Sequence, residues 1–199
     1  MKFNKAAMFG LDARIALAIF GALSVISGAA LYSAIQQAKV VSFVAQMEEF
    51  AKAYTQYYLD TGLDMPTYSV NPDFLVSNRA IENLDSNTDW KGPYWPAGYG
   101  NYDNTDGLGR VGFPGYQGAG YVQATNGAWG DFAGAPGIVD CTAGDCSVWA
   151  YVELRDVSIE FAKLVNNYID NDDNATIGRV RVRYFGDDDY NLYYLVQKK

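Results

Sequence analysis

Residues 15–35 read IALAIFGALSVISGAALYSAI, 21 positions without a charge. A helix of that length that is apolar on every side matches the hydrocarbon core of a bilayer, at about 1.5 Å of rise per residue. From Val40 the pattern changes. Phe43, Met47, Phe50, Tyr54 and Tyr57 recur at spacings of four and three, which makes one apolar stripe. Gln46, Glu48, Glu49, Lys52 and Gln56 fill the other side. No proline falls between Leu11 and Asp60, and Gly62 offers a stop. The spacing predicts one helix over 11–62, roughly 75 Å long. Its first half suits lipid or a bundle of its own copies, and its second half suits docking by one face. Gly21 and Gly28 lie seven apart, on nearly the same side, which suits close helix–helix approach.

Ahead of the apolar run stands MKFNKAAMFG, residues 1–10, with Lys2 and Lys5 and no acid. Asp12 and Arg14 follow. Ser27-Gly28-Ala29-Ala30 offers small residues of the kind a signal peptidase needs, but the helical pattern runs straight through them.

A short basic leader ending in glycine, then an apolar helix that turns amphipathic, resembles the type IV pilins and the type II secretion pseudopilins. Two later segments add to the resemblance. Residues 58–67, YLDTGLDMPT, look like the family's exit from its long helix, and Asp89-Trp90-Lys91-Gly92-Pro93-Tyr94-Trp95 resembles its WKGPY segment. The resemblance implies that a prepilin peptidase cuts after Gly10 and that Leu11 becomes an N-methylated amino terminus. It implies an inner-membrane assembly platform and a helical homopolymer whose core is made of the apolar half-helices. The family usually carries Glu at the fifth mature position, where Ile15 stands, and often Pro at the twenty-second, where Tyr32 stands. Asp12 and Arg14 are then the candidates for charge pairing in the filament core. Subunits without that Glu include the tip pseudopilin.

Residues 96–140 are rich in Gly, Tyr, Asn and Asp and show no sustained period, so a long loop region with short strands is expected. Asp103, Asp106 and Gly107 do not keep the EF-hand spacing and read as turn chemistry. Cys141 and Cys146 enclose four residues and read as a local disulfide, which the compartment outside the cytoplasm would preserve. Ser147–Leu154 has strand composition. A second helix follows, capped by Asp156 or Ser158, with Ile159, Ala162, Val165 and Ile169 as its apolar stripe. Val180, Val182 and Tyr184 alternate with Arg179, Arg181 and Arg183. Residues 186–189 turn the chain, and Asn191–Val196 returns. The arginine ladder is expected to meet acids on a neighbouring strand or subunit.

Asp170, Asp172 and Asn174 form a D-x-D-x-N pattern, an offer of oxygen ligands to calcium, set against a solvated turn. No bidentate acid follows at the EF-hand offset.

The 199-residue chain carries 15 basic and 23 acidic residues, a net charge of −8 with no histidine. An acidic surface argues against nucleic acid as a partner, because phosphate needs a basic footprint. Lack of histidine removes Ser-His-Asp and Cys-His catalysis. No nucleophile motif or convergent acid pair appears, so no enzyme is expected. Loss of the leader would remove Lys2 and Lys5 and take the charge to −10. A filament of such subunits repels itself unless cations or cross-subunit arginine pairs offset the charge.

The expected fold is α+β and pilin-like. A long amino-terminal helix packs on a small antiparallel sheet of about four strands, with a second helix before a carboxyl-terminal hairpin. Residues 1–10 are the leader, 11–62 the helix with 15–35 as its membrane or filament core, and 63–199 the head. The expected function is a structural subunit of a pilus-like filament. It would wait in the inner membrane and then pass to an extracellular or periplasmic polymer. The alternatives are a minor or tip pseudopilin and a singly anchored periplasmic binding protein. No cofactor is expected beyond the calcium weighed above.

Overall fold

In the computed structural model, the residues described are 5–65, 86–96, 111–134, 137–139 and 145–198, with the side chains of residues 5–9 and 11 outside that description. Helix α1 runs from Lys5 to Thr61 without a break. Gly62 ends it in the left-handed region at φ +66°, and its N–H donates to the Tyr58 carbonyl at 2.8 Å. That is the glycine stop that the sequence predicts. The helix starts at Lys5, ahead of Gly10, so Gly10 marks no structural boundary.

The chain divides into two units, Met1–Ser42 and Phe43–Lys199. In the first unit, α1 is long and apolar enough to cross a membrane. Ile15, Leu17, Ile19, Phe20, Leu23, Val25, Ile26 and Leu31 are all exposed.

The second unit is α+β. Strands β1 (Val111–Phe113), β2 (Tyr116–Thr125), β3 (Cys146–Leu154), β4 (Val180–Gly186) and β5 (Asp189–Lys198) form one antiparallel sheet in the order β1-β2-β3-β5-β4. Helix α2 (Ile159–Asp170) precedes the β4–β5 hairpin, as expected. The sheet has five strands rather than about four, because the glycine-rich middle supplies the β1–β2 hairpin. Gly120 is why that segment reads poorly as strand. A Cβ there would lie 2.6 Å from the Tyr151 ring, so the ring occupies the space a side chain would fill.

The predicted stripe of α1 is the spine of this unit. Phe43, Met47, Phe50, Tyr54 and Tyr57 are all buried. Phe50 stacks on Tyr121 at 4.3 Å between centroids, and the Tyr121 hydroxyl donates to the Phe50 carbonyl at 2.5 Å. Phe43 meets Phe113, Tyr116 and Phe161. Each such aromatic pair adds about 0.5–1.5 kcal/mol beyond its buried area.

Ser158, one of the two caps expected, starts α2, and its side chain accepts from the Glu160 N–H. The buried face of α2 is rotated from the expected stripe. Phe161, Ala162, Val165 and Asn166 are buried, whereas Ile159 and Ile169 are only half-buried. The Phe161 ring, edge-on to Phe43 and stacked with Tyr116, sets that rotation.

Trp129, Trp149, Tyr151 and Tyr193 build a second cluster with Val122 and Ala124. The Asp131 N–H donates to the Val182 carbonyl at 2.8 Å, so the chain around Trp129 also covers the outer edge of β4.

Candidate functional site

The residues with predicted roles in processing and assembly stand at the start of α1. Gly10 is exposed and already helical, and the Leu11 side chain lies outside the described residues. Asp12 and Arg14 are exposed. Two positions apart on one helix, they project on different sides, so each is turned outward rather than toward the other. Ile15, at the position where the resembled family usually has Glu, is 51% exposed. A Cβ added to Gly21 or Gly28 would meet open space. Nothing within the described chain requires glycine at either place.

The WKGPY segment grips the far end of α1. The Tyr94 hydroxyl donates to the Asp60 carboxylate at 2.9 Å and accepts from the Lys91 N–H at 2.9 Å. Lys91 reaches the same carboxylate at 3.5 Å. Partial burial raises the Tyr94 pKa, and the Asp60 charge adds to the effect. Trp95 is buried, donates to the Gly112 carbonyl at 2.9 Å and packs edge-on to Phe50. Trp95 and Tyr94 thus plug the Gly-Pro turn against the helix stripe, on Phe50 and Tyr57. Their anchors, Gly112 and Asp60, carried no signal.

Cys146 is disulfide-bonded. Its predicted partner, Cys141, lies outside the described residues, as do Asp103, Asp106 and Gly107.

The D-x-D-x-N oxygens are turned to backbone. Asp170 accepts from the N–H groups of Arg179 at 3.0 Å and Val180 at 2.8 Å. Asp172 accepts from the Asn174 N–H at 2.9 Å, and Asn174 accepts from the N–H and the hydroxyl of Thr176. These bonds lock the turn from α2 into β4. Gly178, at φ +94°, lies so close to Asp170 that a Cβ would come within 2.5 Å of its carboxylate. Among the described residues, no group of three or more His, Cys, Asp or Glu side chains is arranged to hold a metal ion.

One member of the arginine ladder, Arg181, departs from expectation. Arg181 is only 3% exposed. Its guanidinium donates to the carbonyls of Gly127 at 2.9 Å and Asn126 at 3.4 Å, and to that of Thr176. It lies 5.4 Å from the Trp129 ring centroid and 5.0 Å from that of Trp149. Carbonyl dipoles and aromatic faces therefore do the work expected of acids. Burial lowers the Arg181 pKa, and Asp170 opposes that shift. Arg179 donates to the Tyr194 hydroxyl and lies 5.0 Å from the Tyr194 ring centroid. Composition cannot separate a surface arginine from one serving as a carbonyl anchor, which is why Arg181 was missed.

Compared with known proteins, the chain matches no protein-family model, no curated protein and no solved structure.

Proposed function

We propose that the chain is a structural subunit of a type IV pilus-like filament, cut after Gly10 and assembled from a membrane through the first half of α1. One observation carries this reading. Ile15–Ile35 is apolar and exposed all round, and the same unbroken helix continues as the spine of the second unit. An all-apolar helix is stable in lipid or among its own copies, and in water it would aggregate. A subunit that exchanges lipid contacts for helix contacts keeps that surface dry in both states. The charges at Asp12 and Arg14 would then find partners on neighbouring copies. Ile15 favours a second reading, a minor or tip pseudopilin, because a subunit at the tip has no neighbour ahead of it to answer.

The test is the intact mass of the mature protein from its membrane or from shed filaments. The expected species runs from Leu11 to Lys199, plus one methyl group and less two hydrogens for the disulfide. A species that retains Met1, or begins near Ala30, would refute processing at Gly10. It would point instead to a singly anchored or secreted domain.

A further inference from the structure

The turn from α2 into β4 carries Asn174-Ala175-Thr176, the one Asn-x-Ser/Thr sequence in the chain. Asn174 is exposed, and so are Asp173, Ile177 and Gly178 around it. Ala175 is only 3% exposed, and its carbonyl accepts from the Val182 N–H at 3.4 Å. The buried alanine holds the segment to the sheet, while the asparagine before it stands in solvent.

The two polar atoms of the Asn174 amide are used unequally. Oδ1 accepts from the Thr176 N–H at 2.9 Å and from the Thr176 hydroxyl at 2.7 Å. Nδ2 donates to nothing among the described residues. The turn needs only an acceptor oxygen at this position. Asp170 and Asp172 cap backbone N–H groups of the same turn with carboxylates, so the acceptor role does not call for an amide. An exposed, unused amide nitrogen followed two residues later by a hydroxyl is the acceptor pattern of asparagine-linked glycosylation. The compartment agrees with it. Cys146 is disulfide-bonded, and such bonds persist outside the cytoplasm, where that modification is made.

We infer that Asn174 is the acceptor for an asparagine-linked oligosaccharide. The donor is an oligosaccharide on a lipid diphosphate, presented by a membrane transferase. Nδ2 attacks the anomeric carbon C1 of the first sugar. An N–C1 bond forms and the C1–O bond to the diphosphate breaks. The amide gives up one proton to a base of the transferase, and the lipid diphosphate leaves with the bonding pair. Nothing is oxidised or reduced. In the closed turn the Thr176 hydroxyl is spent on Asn174, so a transferase that reads this hydroxyl acts before the turn closes. The finished fold then accommodates the sugar, because no hydrogen bond of the turn uses Nδ2. The inference requires export of the second unit and does not require filament assembly.

The test is a peptide map of the protein from its native membrane. Trypsin cuts after Lys163 and Arg179, so residues 164–179 hold the whole acceptor sequence in one peptide. That peptide should carry an added sugar mass with sugar fragment ions, and electron-transfer fragmentation should place it on Asn174. Asn174→Gln and Thr176→Ala should each abolish the added mass, and Thr176→Ser should keep it. A purely structural role for the turn would produce none of these changes. A bare 164–179 peptide throughout the wild-type protein, or a sugar that survives Thr176→Ala, would overturn the site. The wild-type peptide gives this answer even where a variant fails to fold. Processing at Gly10 is read separately, from the amino-terminal peptide of the same digest, so either result stands without the other.

Discussion

Gly130 offers a sharp test of how the Trp129 segment is seated. Its φ of +89° lies in the left-handed region, and an added Cβ would lie 2.5 Å from the Val182 carbonyl oxygen and 3.0 Å from that of Ala175. Both obstacles are backbone atoms of the second unit, so neither can swing aside. Gly130→Ala carries two costs. An L-residue at positive φ costs about 1–2 kcal/mol, and overpacking against rigid neighbours adds about 1–3 kcal/mol. The expected loss is about 2–5 kcal/mol. For a unit of this size, that lowers the melting temperature by about 4–20 °C. Gly62→Ala is the control, since its φ is +66° with nothing within 4 Å, so only the conformational cost applies. The assay is urea unfolding in mild detergent, followed by near-ultraviolet circular dichroism of the buried tryptophans. Gly130→Ala should have the lower midpoint at an unchanged slope. If it costs no more than Gly62→Ala, the close approach of this segment to β4 is wrong.

Other outcomes follow from the same contacts. Arg181→Met should cost at least about 3 kcal/mol in the same assay, because the carbonyls of Gly127, Asn126 and Thr176 lose their donor. Arg181→Lys should recover only part of this, since an ammonium cannot span carbonyls with a planar fork. Burial raises the pKa of Tyr54, Tyr121 and Tyr190, so the folded state holds their protons more tightly than the unfolded chain does. Stability is therefore fully present below about pH 10, the unfolded tyrosine value, and falls as pH rises beyond it. Absorbance at 295 nm should show the exposed tyrosines titrating first and these three only with cooperative unfolding. A smooth titration of every tyrosine near pH 10 would contradict their burial. Filaments should also loosen when divalent cations are chelated at low salt, because acidic subunits repel. Unchanged sedimentation on chelation would refute that dependence.

Much of this protein was legible in local pattern. The 21 uncharged positions, the four-three spacing of Phe43 to Tyr57 and the stop at Gly62 all describe α1 as it is found. The alternation through Val180, Val182 and Tyr184, followed by the turn at Asp187 and Asp188, describes the last hairpin nearly as well. These signals depend on residues a few positions apart, so a single strand of text carries them. The β1–β2 hairpin was not legible. Gly118 and Gly120 weaken its strand signal, and the ring that justifies Gly120 belongs to Tyr151, some thirty residues later.

Sequence by itself determined the class of secondary structure and the exposed apolar length of α1, because those follow from nearest-neighbour periodicity and from hydrophobicity. Tertiary structure decided what the polar residues do. Arg181, spaced as a surface arginine, is buried between two tryptophans, because the sheet brings Trp129 and Trp149 to it from different segments. Asp170 and Asp172, spaced as calcium ligands, also accept hydrogen bonds from the N–H groups of Arg179, Val180 and Asn174. A charge is satisfied by whatever dipole the fold brings near it, and that proximity is set by chain topology rather than by residue order.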